Sequence, residues 1–158
     1  MDPRNYTASE VLKDGTAVTI RAIRREDKGR LLEAFKNLDR ESVYRRFFSP
    51  KKELSDSELD QLTDVDFNQV VALVVATQGA DGEILIGGGR YAAEGKDRAE
   101  IAFVTDSNYR GRGIASLILN HLARIARGAE VKHFDAEVLA ENTPMLAVFR
   151  RSGLPVEV

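Results

Sequence analysis

Cysteine is absent from the 158 residues. Its absence excludes disulfides, a thiolate nucleophile and cysteine-ligated zinc, and it agrees with a cytoplasmic setting. An excess of charge of either sign is also missing: 23 basic residues face 25 acidic ones, for a net −2. The balance gives no global pull toward nucleic acid or an anionic membrane, and neither is expected as a partner. The longest apolar run, Val70 to Ala76, is far too short to span a bilayer. Met1-Asp2-Pro3-Arg4-Asn5 lacks the apolar core of a signal peptide. There is no internal repeat or low-complexity tract. His121 and His133 fall on different elements with no cysteine to join them, so no metal site is expected. The length suits one domain, 1–158, with residues 1–8 a loose terminus. A chain of this size buries roughly 70% of the surface it exposes when unfolded, which is enough for a core without staples.

What is present is organised around Ala99 to Ala126. Ala99 to Val104 is a compact apolar run carrying one acid, Glu100. Asp106-Ser107-Asn108 is turn chemistry. After Arg110-Gly111-Arg112-Gly113, the apolar positions Ile114, Leu117, Ile118, Leu122 and Ile125 recur at helical spacing. The glycines bare the backbone where a helix leaves its first N–H groups without partners, and two arginines flank them. Such a place suits an anion, and a diphosphate better than a lone carboxylate. A Walker P-loop would need Lys then Ser or Thr after Gly113, where Ile114-Ala115 stand. A dinucleotide-binding fingerprint would need a third glycine at Ser116, and its ribose acid would fall near Asp135 or Glu137. The chain ends one helix later, too short for a doubly wound sheet.

The rest reads as strands and helices around that unit. Asp14-Gly15 between Ser9–Leu12 and Ala17–Ile23 is a hairpin signal. In the second run Val18, Ile20 and Ala22 share one face, and Thr19 and Arg21 fall on a face that could be solvated. Asp27 to Leu38 and Glu41 to Phe48 read as helices. Tyr44, Phe47 and Phe48 of the second are either a core-facing stripe or the lining of an acceptor groove. Ser55-Asp56-Ser57-Glu58 is a capping box opening a helix to about Leu62. Asn68 to Thr77 is a strand buried on both faces. Glu83 to Ala93 pairs back on it, and Gly87-Gly88-Gly89 there predicts a bulge or a close approach by something else. Val131 to Ala140 follows the central helix as a parallel return. Pro144 suits a first helical position with Thr143 as cap, leaving Asn142 free to reach a ligand. One more strand begins at Leu154.

Arg110-x-x-Gly113-x-Ala115 resembles the (Gln/Arg)-x-x-Gly-x-(Gly/Ala) pyrophosphate loop of the GNAT superfamily of N-acetyltransferases. The order of elements along nearly the whole chain is similar too. Asn142, Phe149, Gly153 and Leu154 sit where that family has Asn, Tyr, Gly and Phe. Ile20 to Asp27, Glu41 to Pro50 and Leu62 to Asp66 resemble the acetyltransferase domain of bacterial Pat-type protein lysine acetyltransferases. In that branch the domain often hangs on a nucleotide-binding or acyl-CoA-synthetase-like domain, which has no counterpart in these residues. The resemblance implies an α/β (α+β) fold, with a mixed, mostly antiparallel twisted sheet of six to seven strands and helices on both faces. It differs in two respects: the family's general-acid tyrosine is Phe149, and the family's last strand is expected to be missing.

The resemblance implies acetyl transfer from acetyl-CoA, a cosubstrate, to a protein lysine or a small amine. A non-catalytic acyl-CoA-binding module is the alternative of another class. Phe103, Val104, the loop Arg110, Gly111, Arg112, Gly113, Ile114, Ala115 and Ser116, and then Asn142 and Phe149, are the implied carrier-binding residues. The Val104 backbone N–H is the implied oxyanion donor. Glu100 is the candidate general base, direct or through a water, because an acid inside an apolar strand is out of place. The other reading makes Glu100 a rim carboxylate paired with Arg90 or Arg98. His121 reads as a packing residue, His133 as surface, and Asp135 and Glu137 as solvated or paired. A homodimer is one assembly left open.

Overall fold

A computed structural model describes residues 2–36, 54–136 and 143–155. Among these, six strands form one sheet in sequence order: β1 (Thr7–Val11), β2 (Ala17–Ala22), β3 (Val70–Gly79), β4 (Gly82–Ala93), β5 (Arg98–Thr105) and β6 (His133–Asp135). Neighbours are antiparallel except β5 and β6. That parallel pair requires a crossover, and a helix supplies it. The helices are α1 (Lys28–Lys36), α2 (Asp56–Thr63), α3 (Ile114–Gly128) and α4 (Thr143–Arg150).

The sheet is covered on both faces. Leu31 and Ala34 of α1 pack on Ile23, Ala72, Val74 and Leu85. Ile114, Ile118, Leu122 and Ile125 of α3 pack on the opposite face, against Ile20, Leu73, Val75 and Ile101. This explains the continuous apolar run of β3, whose residues Val71 to Ala76 are all buried. The capping box of α2 forms in both directions, Glu58 N–H to Ser55 Oγ and Ser55 N–H to Glu58 Oε1, each 3.2 Å.

The glycine run in β4 marks both a bulge and a close approach. The β3–β4 register slips between Val75 and Ala76. A Cβ on Gly89 would collide with Ile118 Cγ2 and lie 2.9 Å from Phe103 Cδ1, and one on Gly87 would lie 2.8 Å from Ile114 Cγ2. The thing that approaches at these two positions is therefore α3. Gly89→Ala is expected to lose about 1–3 kcal/mol through overpacking. Urea unfolding checks this, and a variant as stable as the parent would show that α3 is free to shift.

Several expectations are corrected. Residues 2–8 are not a loose terminus. Asp2 accepts a bond from Arg4 N–H at 3.0 Å and caps a 3-10 turn over Pro3–Asn5. Tyr6 is then buried with its hydroxyl on His121 Nδ1, and Thr7 and Ala8 already pair in β1. His121 is buried as expected, but it is held by polar bonds as well as packing, its Nε2 lying 3.0 Å from Glu10 Oε1. Arg21 does not face solvent: it is 3% exposed. The chain after β2 folds back over that face, and Arg21 meets Asp27 there in two bonds of 2.8 and 2.9 Å and Glu83 in a third of 2.6 Å. Leu154 and Pro155 are not in a strand, and β6 as described is His133–Asp135 alone. The expected helix Glu41–Phe48, the residues 137–142 and the end of the last expected strand, 156–158, lie outside the described residues.

Candidate active site

The site lies beside the part of β5 that follows its last described pair with β6. The strand pairs with β4 from Ala99 to Thr105, but with β6 only through Arg98, Glu100 and the residue between them. Beyond Glu100 no described strand accompanies β5 on that side, and there the chain turns into α3. Asp106, 6% exposed, ends the strand. Its N–H bonds to Ile86 O at 2.9 Å, and its carboxylate accepts from Asn108 N–H at 2.8 Å. A 3-10 turn over Ser107–Tyr109 leads into the loop.

Gly111 and Gly113 both hold positive φ, 76° and 90°, a region costly for any residue with a Cβ. Gly113 is the N-cap of α3 and, having no side chain, caps nothing. The first amides of a 15-residue helix, those of Ile114, Ala115 and Ser116, therefore get no acceptor from the cap. Arg110 and Gly111 are exposed; Arg112, Gly113, Ala115 and Ser116 are half-buried. Ile114 is buried under Gly87, so it can offer a ligand only its backbone. The residues present fit a diphosphate: bare amides, a favourable helix dipole and open space over Gly111, where a Cβ would meet nothing within 4 Å.

Arg112 is partly engaged within the protein. Its Nη1 lies 2.9 Å from Asp14 Oδ2, in the β1–β2 turn, and its guanidinium sits 4.8 Å from the Tyr109 ring centroid. The Thr16 hydroxyl and amide, with Arg112 adding its charge, hold the Asp14 carboxyl below the usual carboxylate range.

The Val104 amide does not face the gap beside β5. Glu94 N–H bonds to Arg98 O and Asp106 N–H to Ile86 O, which makes the even-numbered residues of β5 the ones bonded to β4. Val104 O accordingly points at β4, 3.2 Å from where a Gly87 Cβ would be. The backbone groups turned away from β4 belong to Phe103 and Thr105. Thr105 was missed in the sequence because strand direction alone does not say which partner takes which residues. The Phe103 ring packs 6.0 Å from that of Phe149, on α4, at an interplanar angle of 53°.

Glu100 is exposed and stands opposite Ala92 on β4 and Asp135 on β6, at the last described β5–β6 pair. Alternation puts its side chain on the same face as those of Ala102 and Val104, opposite α3. Those two line an apolar cleft of about 760 Å³, counted out to its mouth, together with Ile23, Leu31, Phe35 and Leu62. Arg98, one partner considered for Glu100, makes a two-point pair with Asp135 at 2.7 and 3.0 Å. Arg90, the other, donates to Leu62 O at 2.9 Å. His133 is exposed, and Asn142 and Glu137 lie outside the described residues. Among the described residues no cluster of three metal-ligating side chains occurs, and no helix is long and apolar enough to cross a membrane.

Residues 32–154 match the family model described as Acetyltransferase (GNAT) family. An acetyltransferase of Pseudomonas aeruginosa is 37% identical over 122 residues, covering 75% of this chain and 64% of that protein. Acetyltransferase Pat of Mycolicibacterium smegmatis is 32% identical over 144 residues, 90% of this chain and 42% of that one. The chain thus spans less than two thirds of either curated relative. The crystal structure of the GNAT domain of S. lividans PAT superposes with a TM-score of 0.85 at 35% identity, covering 93% of this chain and 86% of that one.

Proposed function

The chain belongs to the GNAT acetyltransferase family, and from that premise we propose that it transfers the acetyl group of acetyl-CoA directly to an amine, a lysine side chain of a protein. The observation that carries the reading is the N-terminus of α3, which has no side-chain cap and opens beside the end of β5 that no described strand accompanies. The protein acceptor rests on the Pat-type runs in the N-terminal half and on the similarity to proteins named Pat.

Acetyl-CoA, when bound, supplies an activated thioester. The amides of Gly113 to Ser116 and the arginines around them hold its diphosphate. The backbone groups of Phe103 and Thr105 that face away from β4 are suited to the acyl arm, and the oxyanion donor is one of these amides instead of that of Val104. The acceptor approaches over the opposite face, past the apolar cleft, where Glu100 takes the proton its nitrogen gives up. Phe149 has no proton to give. A thiol of ordinary pKa, near 8.5, leaves as thiolate with little help, so transfer does not require an acid there.

The test is release of free thiol on mixing the chain with acetyl-CoA and a panel of proteins and small amines. Mass spectrometry of the products should find acetylated lysine. Release with small amines alone would move the acceptor class, and carrier binding without release under any condition would make the chain a binding module. Gly113→Asp adds a negative charge and a Cβ at φ 90° and is expected to weaken acetyl-CoA at least tenfold, about 1.4 kcal/mol. Unchanged calorimetric affinity would remove the diphosphate from this loop.

A further inference from the structure

The β1–β2 turn lies against the loop that opens α3, although the two are about a hundred positions apart in sequence. Lys13 N–H donates to Arg112 O at 3.2 Å, and Asp14 pairs with Arg112 at 2.9 Å. The Lys13 side chain runs across Gly113: its Cε is 3.3 Å, its Cγ 3.7 Å and its Cδ 3.8 Å from the position a Gly113 Cβ would take. The ammonium is one bond beyond that Cε, so this exposed cation lies near the positive end of a helix and near the loop that carries Arg112. An anion bound there would relieve the repulsion among these like charges. The described residues offer the ammonium no carboxylate, since the turn's own Asp14 is taken by Arg112 and Thr16.

From this contact we infer that Lys13 is a further carrier-binding residue, its ammonium reaching the diphosphate site from the β1–β2 turn. The inference rests on the reading of that loop as the diphosphate site. The geometry also gives Asp14 a part: by bonding Arg112 it fixes the turn to the loop, so the lysine arrives with its stem already laid down. A site assembled from two distant segments is ordered before the ligand comes, which lowers the entropy of closing on it.

Lys13→Gln keeps the aliphatic stem over Gly113 and removes the charge. Calorimetry should show acetyl-CoA bound about fivefold more weakly than by the parent chain, the scale of one exposed charge-assisted bond. The same ratio is expected with 3′-dephospho-acetyl-CoA, which keeps the diphosphate. Equal affinity of the two chains for acetyl-CoA would overturn the role of Lys13 and leave the loop assignment standing. A loss that vanishes with the dephospho carrier would place Lys13 at the 3′-phosphate and overturn the diphosphate contact. If the parent chain binds neither carrier, the loop assignment falls, and this inference falls with it.

Discussion

Asp27→Ala is expected to cost about 3 kcal/mol of folding stability, the low end of what breaking a buried ion pair from one side costs. Asp27 is fully buried and Arg21 nearly so, at 3% exposed. Without the carboxylate, Arg21 keeps only Glu83, half-buried at the rim, and the Ala22 carbonyl. Arg24 N–H, bonded to Asp27 at 2.8 Å, loses its acceptor as well. The Glu83 contact is the reason for choosing the low end. Against a total of about 5–15 kcal/mol, such a loss is large, and urea unfolding reads it directly. A double variant, Asp27→Ala with Arg21→Leu, is expected to recover most of the loss, because no buried charge is then left alone. A single variant within about 1 kcal/mol of the parent would mean that the pair contributes little.

The same pair sets an acid limit. Burial by itself would push the Asp27 carboxyl up; bonds from Arg21 and the Arg24 amide, with the charges of Arg21 and Arg30, outweigh it and hold the carboxyl below the usual range. Its contribution is therefore complete above the unfolded value near 3.9 and is lost as pH falls through the lowered folded value. Stability measured from pH 6 downward should fall more steeply in the parent than in Asp27→Ala.

The second large effect expected is on turnover. Glu100→Gln should lower kcat about a hundredfold and leave acetyl-CoA affinity unchanged. A lysine of pKa near 10.4 is uncharged only about 0.04% of the time at pH 7, so some group must take its proton. Glu100 is exposed, on the face of β5 opposite α3, at the last described β5–β6 pair. On the proposed reading, the amine approaches on that face and meets Glu100 there. Retained turnover in the glutamine variant across the pH range would take Glu100 out of the reaction.

Much of this was legible in the chain itself. Periodicity located the elements because each buries a single face or, in β3, two. Ser55 and Glu58 marked a helix start because the bonds they make are local. The loop from Arg110 to Ser116 could be read as an anion site because glycine and helix-start chemistry are also local. Three things were not readable, and all depend on contacts between distant residues. Arg21 looked like a solvated position, and only the fold of the chain after β2 back over it made it a buried ion pair. Alternation showed two sets of backbone groups in β5, but only the β4 register decided that Phe103 and Thr105, not Val104, face outward. Lys13 had no reason to be noticed until the hairpin laid it across Gly113. The sequence by itself determined most of the elements and the family, since short-range geometry and local motifs specify them. The tertiary structure decided which charges are buried, which amides are turned outward and which distant turn reaches the loop, since each depends on what another part of the chain brings alongside.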